Sequence, residues 1–112
     1  MVEGRIEFAS ESPHFDGADV HVWIEDTTYA DEDAMPIFHL RMPHVSYAAE
    51  PEGLLFRLDY DQQRPEGRTY TLSVLVDLDG DSRPGRGDYI SDQAVRVPEA
   101  GAVARVRVRR ID

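Results

Sequence analysis

The chain has no cysteine among its 112 residues. That excludes disulfides, thiolate zinc sites, a cysteine nucleophile and a lipid-bearing cysteine within this sequence. Lysine and asparagine are absent as well, so all twelve basic residues are arginines. No apolar run approaches the roughly 18 residues that a membrane span needs. The opening Met1-Val2-Glu3-Gly4-Arg5 has no basic segment leading into an apolar one, so no secretory signal is visible and the compartment expected from the sequence as written is the cytoplasm. A surplus of positive charge is also missing. The net charge is -10, whereas a phosphate backbone is bound through clustered Lys and Arg. Nucleic acid is therefore not an expected partner. An acidic surface favours solubility, cations or a basic protein partner.

Charge is distributed unevenly. Residues 1–60 carry thirteen acids and three arginines, residues 61–95 seven and four, and residues 96–112 two and five, which gives -10, -3 and +3. The chain thus ends in a basic stripe on an acidic body.

Period-two alternation recurs throughout and is the signature of half-buried strands. Ile6 and Phe8 alternate with polar neighbours. Val20, Val22 and Ile24 share one face, with His21, Trp23 and Glu25 on the other. Phe38, Leu40 and Met42 alternate with Ile37, His39 and Arg41. Leu54, Phe56, Leu58 and Tyr60 form a fourth inward set, and Tyr70, Leu72, Val74 and Val76 a fifth. Ile90 to Val97 is less regular, and Ala104, Val106 and Val108 alternate with Arg105, Arg107 and Arg109. Turn-rich stretches separate these runs: Ser10 to Gly17, Asp26 to Met35, Pro43 to Gly53, Asp61 to Arg68, Asp79 to Gly87, and Pro98 to Gly101. No segment of ten residues holds a 3.6 period, and Asp31 to Met35 has room for one helical turn at most. The pattern predicts an all-β chain, a single domain over residues 1–112, folded as a seven- to eight-stranded antiparallel β-sandwich with one wet face per sheet. The arginine row of the last strand is expected to guard an edge or to dock against acidic surface of a second copy. The expected state is accordingly a monomer or a weak homodimer.

Two segments carry a family resemblance. One is Val20-His21-Val22-Trp23-Ile24-Glu25-Asp26 followed by Asp31-Glu32-Asp33-Ala34. The other is Tyr70 to Asp81, then Gly87-Asp88-Tyr89-Ile90-Ser91 and Ala94-Val95-Arg96-Val97. Together they resemble the YbaY/YscW-like family of bacterial proteins, over roughly residues 18–97. The resemblance implies a β-sandwich and a non-catalytic accessory module with a protein partner. Family members include envelope lipoproteins, and the best-known relative assists the outer-membrane secretin ring of type III secretion. The lipid-bearing cysteine of those lipoproteins has no counterpart here.

The sharpest local signal is the run Asp77-Leu78-Asp79-Gly80-Asp81-Ser82-Arg83-Pro84-Gly85-Arg86-Gly87-Asp88. Asp77, Asp79, Asp81 and Asp88 stand at positions 1, 3, 5 and 12 of a calcium loop, and Arg83 at position 7 is placed to offer its backbone carbonyl. Glycine falls at position 4 instead of 6, position 12 is Asp instead of Glu, and the flanks are strands. The plainer reading is a polar hairpin turn in which Arg83 and Arg86 offset the carboxylates. If calcium binds, the expectation is weak, structural binding.

Two rival readings use other residues. His14, His21, His39 and His44 with Met35 and Met42 supply imidazole and thioether donors that suit copper, although His21 and His39 alternate outward and Met42 inward. A small hydrolase would need a triad built across loops, since the sequence contains no Gly-x-Ser-x-Gly elbow, phosphate-cradling glycine loop or His-Glu-x-x-His. Trp23 shares the outward face with His21, either as an anchor for a partner or packed beneath a neighbouring strand.

Overall fold

In the computed structural model the alternating segments form eight strands: β1 Val2–Phe8, β2 His14–Asp26, β3 Met35–Ala48, β4 Leu54–Leu58, β5 Tyr70–Asp77, β6 Tyr89–Ser91, β7 Val95–Arg96 and β8 Val103–Arg110. The structure describes residues 2–8, 14–29, 34–48, 53–60, 67–93, 95–97 and 102–111. The predicted helical turn at Asp31 to Met35 and the turn at Pro98 to Gly101 lie largely or wholly outside them. Among the described residues there is no helix, and so none long and apolar enough to cross a membrane.

The all-β expectation holds, but the layering differs from the two packed sheets expected. All eight strands belong to one hydrogen-bonded sheet, in the order β3-β2-β5-β6-β8-β1-β4, with β7 also paired to β5. The sheet curls into a nearly closed barrel. Its edge strands approach through side chains, with Phe38 of β3 against Tyr60 beyond β4 at 5.3 Å between ring centroids. Nor is the sheet wholly antiparallel, because β1 and β8 pair in parallel from Glu3↔Val103 to Phe8↔Val108. Alternation marks which side of a strand is apolar. It is silent on whether the apolar sides belong to two facing sheets or to one sheet closed on itself.

The inward residues build a single core. Val2, Ile6, Val20, Val22, Ile24, Leu58, Leu72, Val74, Val76, Val106 and Val108 are all buried, and Phe38, Leu40 and Met42 pack against them half-buried. Burial of a Val, Leu or Ile side chain is worth about 1.5–3 kcal/mol, so this cluster is the main source of stability. Two of the predicted turns lie partly inside strands instead. Gly17 and His44 adopt φ values of 79° and 57° beside register shifts in the β2–β3 pair. The extra residues there are β-bulges, which bend a strand without ending it. That bending lets two long strands follow the curve of the barrel.

β8 is not an edge. It lies between β6 and β1, so the arginine row has no edge to guard. Arg105, Arg107 and Arg109 do form an exposed row, and Arg105 donates to both carboxylate oxygens of Glu7 on β1, at 3.0 and 2.8 Å.

Candidate functional site

The β5–β6 connection brings the predicted calcium-loop acids together. Asp77, the last residue of β5, and Asp88, just before β6, are each 1% exposed, while Asp79 and Asp81 are exposed. One carboxylate oxygen from each of the four lies within 4.8 Å of one from every other. Backbone amides fix their orientation. Asp77 accepts from Gly80 N at 3.0 Å and Ser82 N at 2.7 Å, Asp81 from Arg83 N at 2.9 Å, and Asp88 Oδ1 from Leu78 N at 2.8 Å. Gly80 and Ser82 have φ values of 77° and 61°. Position 6 therefore needs a left-handed backbone, as a calcium loop does, and serine supplies it at a strain cost of about 1–2 kcal/mol. Further contacts stitch the loop to the end of β8: Gly87 N donates to Ile111 O and Ile111 N to Asp88 O, both at 2.8 Å.

Electrostatics in the loop are not settled by arginine. The ion pairs of the described residues are Arg41–Asp19, Arg57–Glu3, Arg68–Asp26 and Arg105–Glu7. None involves Arg83 or Arg86, both exposed, so neither makes a direct ion pair with the acids of the loop. Arg83 enters the cluster through its amide hydrogen. A hydrogen bond shared with Asp77 pushes the Asp79 carboxyl up to about 6, with burial and Asp81 adding to it. Burial pushes Asp77 up, but its bonds from Asp79 and from the amides of Ser82, Gly80 and Asp79 outweigh this and hold it below the ordinary carboxylate value. One oxygen is left over. Asp88 Oδ2 is buried and has no hydrogen-bond partner.

On the adjoining outer face of β2 and β3, the histidine prediction needs correction. His21 alternates outward, yet it is only 3% exposed. Its ring stacks on Trp23 and His39 at centroid distances of 5.3 and 5.0 Å, and its Nδ1 lies 2.8 Å from His39 Nε2. Burial, and then the neighbouring His39, lower the His21 pKa. Leu75, its register neighbour on β5, is 2% exposed although it too faces outward, being flanked by His21 and by Ile90 of β6.

Of the expected copper donors, His21 and His39 meet, but among the described residues no third histidine joins them. Among the described residues, the histidine-containing group of three or more close ligands is Asp19, His21 and Asp77, and Asp19 already holds Arg41 at 2.8 Å. Met35 is exposed and Met42 packs on the core. For a hydrolase, the nearest arrangement is a concavity of about 590 Å³ containing His14, Asp16 and Ser46. There Ser46 donates straight to Asp16 and no hydrogen bond joins it to His14, so the nucleophile-to-base bond of a triad is missing.

A second concavity, about 480 Å³, lies at the rim between the two edge strands. Met42, Leu55, Phe56 and Val103 supply its apolar lining, with Arg5 and Arg57 beside them. Leu55 and Val103 are 59% and 51% exposed. The alternation could have flagged Leu55 as an apolar residue on an outward position. Nothing in the sequence shows that Met42 and Val103 would join it, because that depends on how the sheet closes.

The chain has the fold of a solved pilotin. The structure of an alternative pilotin from the type II secretion system of Vibrio cholerae matches it with a TM-score of 0.74 at 22% identity, over 99% of this chain and 96% of that one. No protein-family model and no curated protein matches the sequence, so the YbaY/YscW-like resemblance rests on the motifs quoted above. What the pilotin likeness shows is the barrel-like fold.

Proposed function

We propose that this protein is a non-catalytic accessory module that works by holding a segment of another protein, in the manner of a pilotin. The observation that carries this reading is the structural likeness, which runs over essentially the whole of both chains. The sequence resemblance to YbaY/YscW-like proteins points the same way and suggests the partner class, a secretin subunit. The surface assigned to the partner is the rim concavity between β3 and β4. Exposed apolar side chains grouped in one place mark interaction sites more often than scattered ones do, and Leu55 and Val103 are of this kind. Arg5 and Arg57 at the same rim offer polar contacts that set the orientation of a bound segment.

The test is a calorimetric titration of the purified protein with the purified secretin subunit encoded in the same genome. Saturable binding is expected. Leu55→Asp or Val103→Asp should weaken it about tenfold or more, since each puts a charge into an apolar contact, while leaving the circular-dichroism spectrum unchanged. Absence of binding by the native protein would sink the reading. Binding untouched by both replacements would move the partner to another face.

A further inference from the structure

We propose that Asp77, Asp79, Asp81 and Asp88 form a calcium site that pins the β5–β6 loop to the end of the barrel. The inference stands apart from the partner-binding role and rests on three observations.

The first is size. One oxygen from each carboxylate lies within 4.8 Å of the others. Calcium binds oxygens at about 2.3–2.6 Å, so ligands on opposite sides of the ion are about 4.6–5.2 Å apart. Four oxygens inside that limit fit within the span of a calcium shell. Magnesium, with bonds of about 2.0–2.1 Å, demands a near-ideal octahedron and gives up its waters reluctantly, so an irregular loop of this kind suits it less. By its loop position, the Arg83 carbonyl is the fifth oxygen.

The second is the unmatched oxygen. Asp88 is 1% exposed, and its Oδ1 accepts from Leu78 N while its Oδ2 is buried with no donor. A buried carboxylate oxygen without a partner is costly. It points into the cluster: a Cβ placed on Gly85 would lie 3.6 Å from Asp88 Oδ2 and 3.8 Å from Asp79 Oδ2. Both oxygens therefore border the space beside Gly85, a residue with no side chain to fill it. A cation is the partner that Asp88 Oδ2 lacks.

The third is the missing counter-charge. Four carboxylates meet here while Arg83 and Arg86 stay out of ion pairing. Backbone amides donate to both oxygens of Asp77 and to one oxygen each of Asp81 and Asp88, which orients the carboxylates but brings no positive charge. Like charges at this distance repel unless an ion intervenes.

The site adjoins the core directly. Tyr89 follows Asp88 and packs on Phe8 at 5.1 Å and on Phe15 at 6.2 Å between ring centroids. An ion held by Asp88 fixes the chain where it enters this aromatic group. With four acids, one exposed face and serine at position 6, the affinity belongs in the weak range of about 10⁻⁴–10⁻³ M.

The experiment is thermal unfolding of the purified protein with chelator, with 10 mM calcium and with 10 mM magnesium, repeated on Asp79→Asn and Asp88→Asn. Calcium should raise the native midpoint by about 5–10 °C, magnesium should do markedly less, and both variants should lose the response. Asn at 88 keeps an acceptor for Leu78 N. If that variant does not fold, Asp79→Asn, at an exposed position, gives the reading alone. A native midpoint indifferent to calcium, an equal shift with magnesium, or a full calcium shift in the folded variants would each overturn the proposal.

Discussion

Gly4 and Phe56 face each other across the β1–β4 pair, and the ring of Phe56 lies over the glycine. A Cβ on Gly4 would sit 2.1, 2.5 and 2.8 Å from three atoms of that ring. The ring is buried, so it cannot swing aside without opening the core. Gly4→Ala should therefore cost about 1–3 kcal/mol by overpacking, reduced by the roughly 0.5–1 kcal/mol that alanine gains over glycine in a strand. Phe56→Ala removes the ring and leaves a cavity, at about 3–5 kcal/mol. In the double variant the new methyl enters space that the ring has vacated. Its cost should match that of Phe56→Ala alone or fall slightly below it, giving a coupling of about 1–3 kcal/mol. Urea unfolding of the four proteins, read by circular dichroism, measures the cycle. Additive costs, or a Gly4→Ala protein as stable as the native one, would mean that the ring and the methyl do not compete for the same space.

Two further outcomes follow from single residues. Gly53 has a φ of 72°, and a Cβ there would lie 2.3 Å from the Ile6 carbonyl oxygen. Gly53→Ala should cost more than about 1–3 kcal/mol, the usual range for such strain, and a urea midpoint close to that of the native protein would count against the β1–β4 geometry. His21 is held below its ordinary value of 6.5 by burial and then by His39, so the fold favours its neutral form. The unfolded chain then takes up the proton first as pH falls. The contribution of His21 is whole above pH 6.5 and is lost on acidification through that value and down through the folded-state pKa. Unfolding midpoints at pH 7.5 and 5.5 should drop more for the native protein than for His21→Phe, and equal drops would remove His21 as the cause.

Much of the fold was legible because strands advertise their buried side. Ile6, Val22, Leu72 and Val106 alternate with polar residues and all are buried. The closure of the sheet was not legible, because pairing β1 with β8 joins residues 98 positions apart, as at Glu7 and Arg105, and no local pattern encodes that. His21 and Leu75 misled for a related reason. Each faces outward by alternation, but stacked rings and cross-strand neighbours cover them. The Asp loop was legible through its spacing, and the structure brings its four acids together. What spacing could not give was the state of single atoms, above all the unpartnered Asp88 Oδ2 and the distance of Arg83 and Arg86 from any ion pair. The rim concavity was invisible for the same reason as the barrel, since Met42, Leu55 and Val103 come from three different strands, one of them about fifty residues further along the chain.

A barrel that serves a secretin through its β3–β4 rim should be needed for that partner to assemble. The most direct measurement is made in the cell of origin: delete the gene and quantify the assembled secretin multimer in the outer membrane, with complementation by the native protein and by Leu55→Asp. The multimer should fall on deletion, return with the native protein and not return with Leu55→Asp produced at the same level. A multimer that assembles equally in all four strains would contradict that requirement.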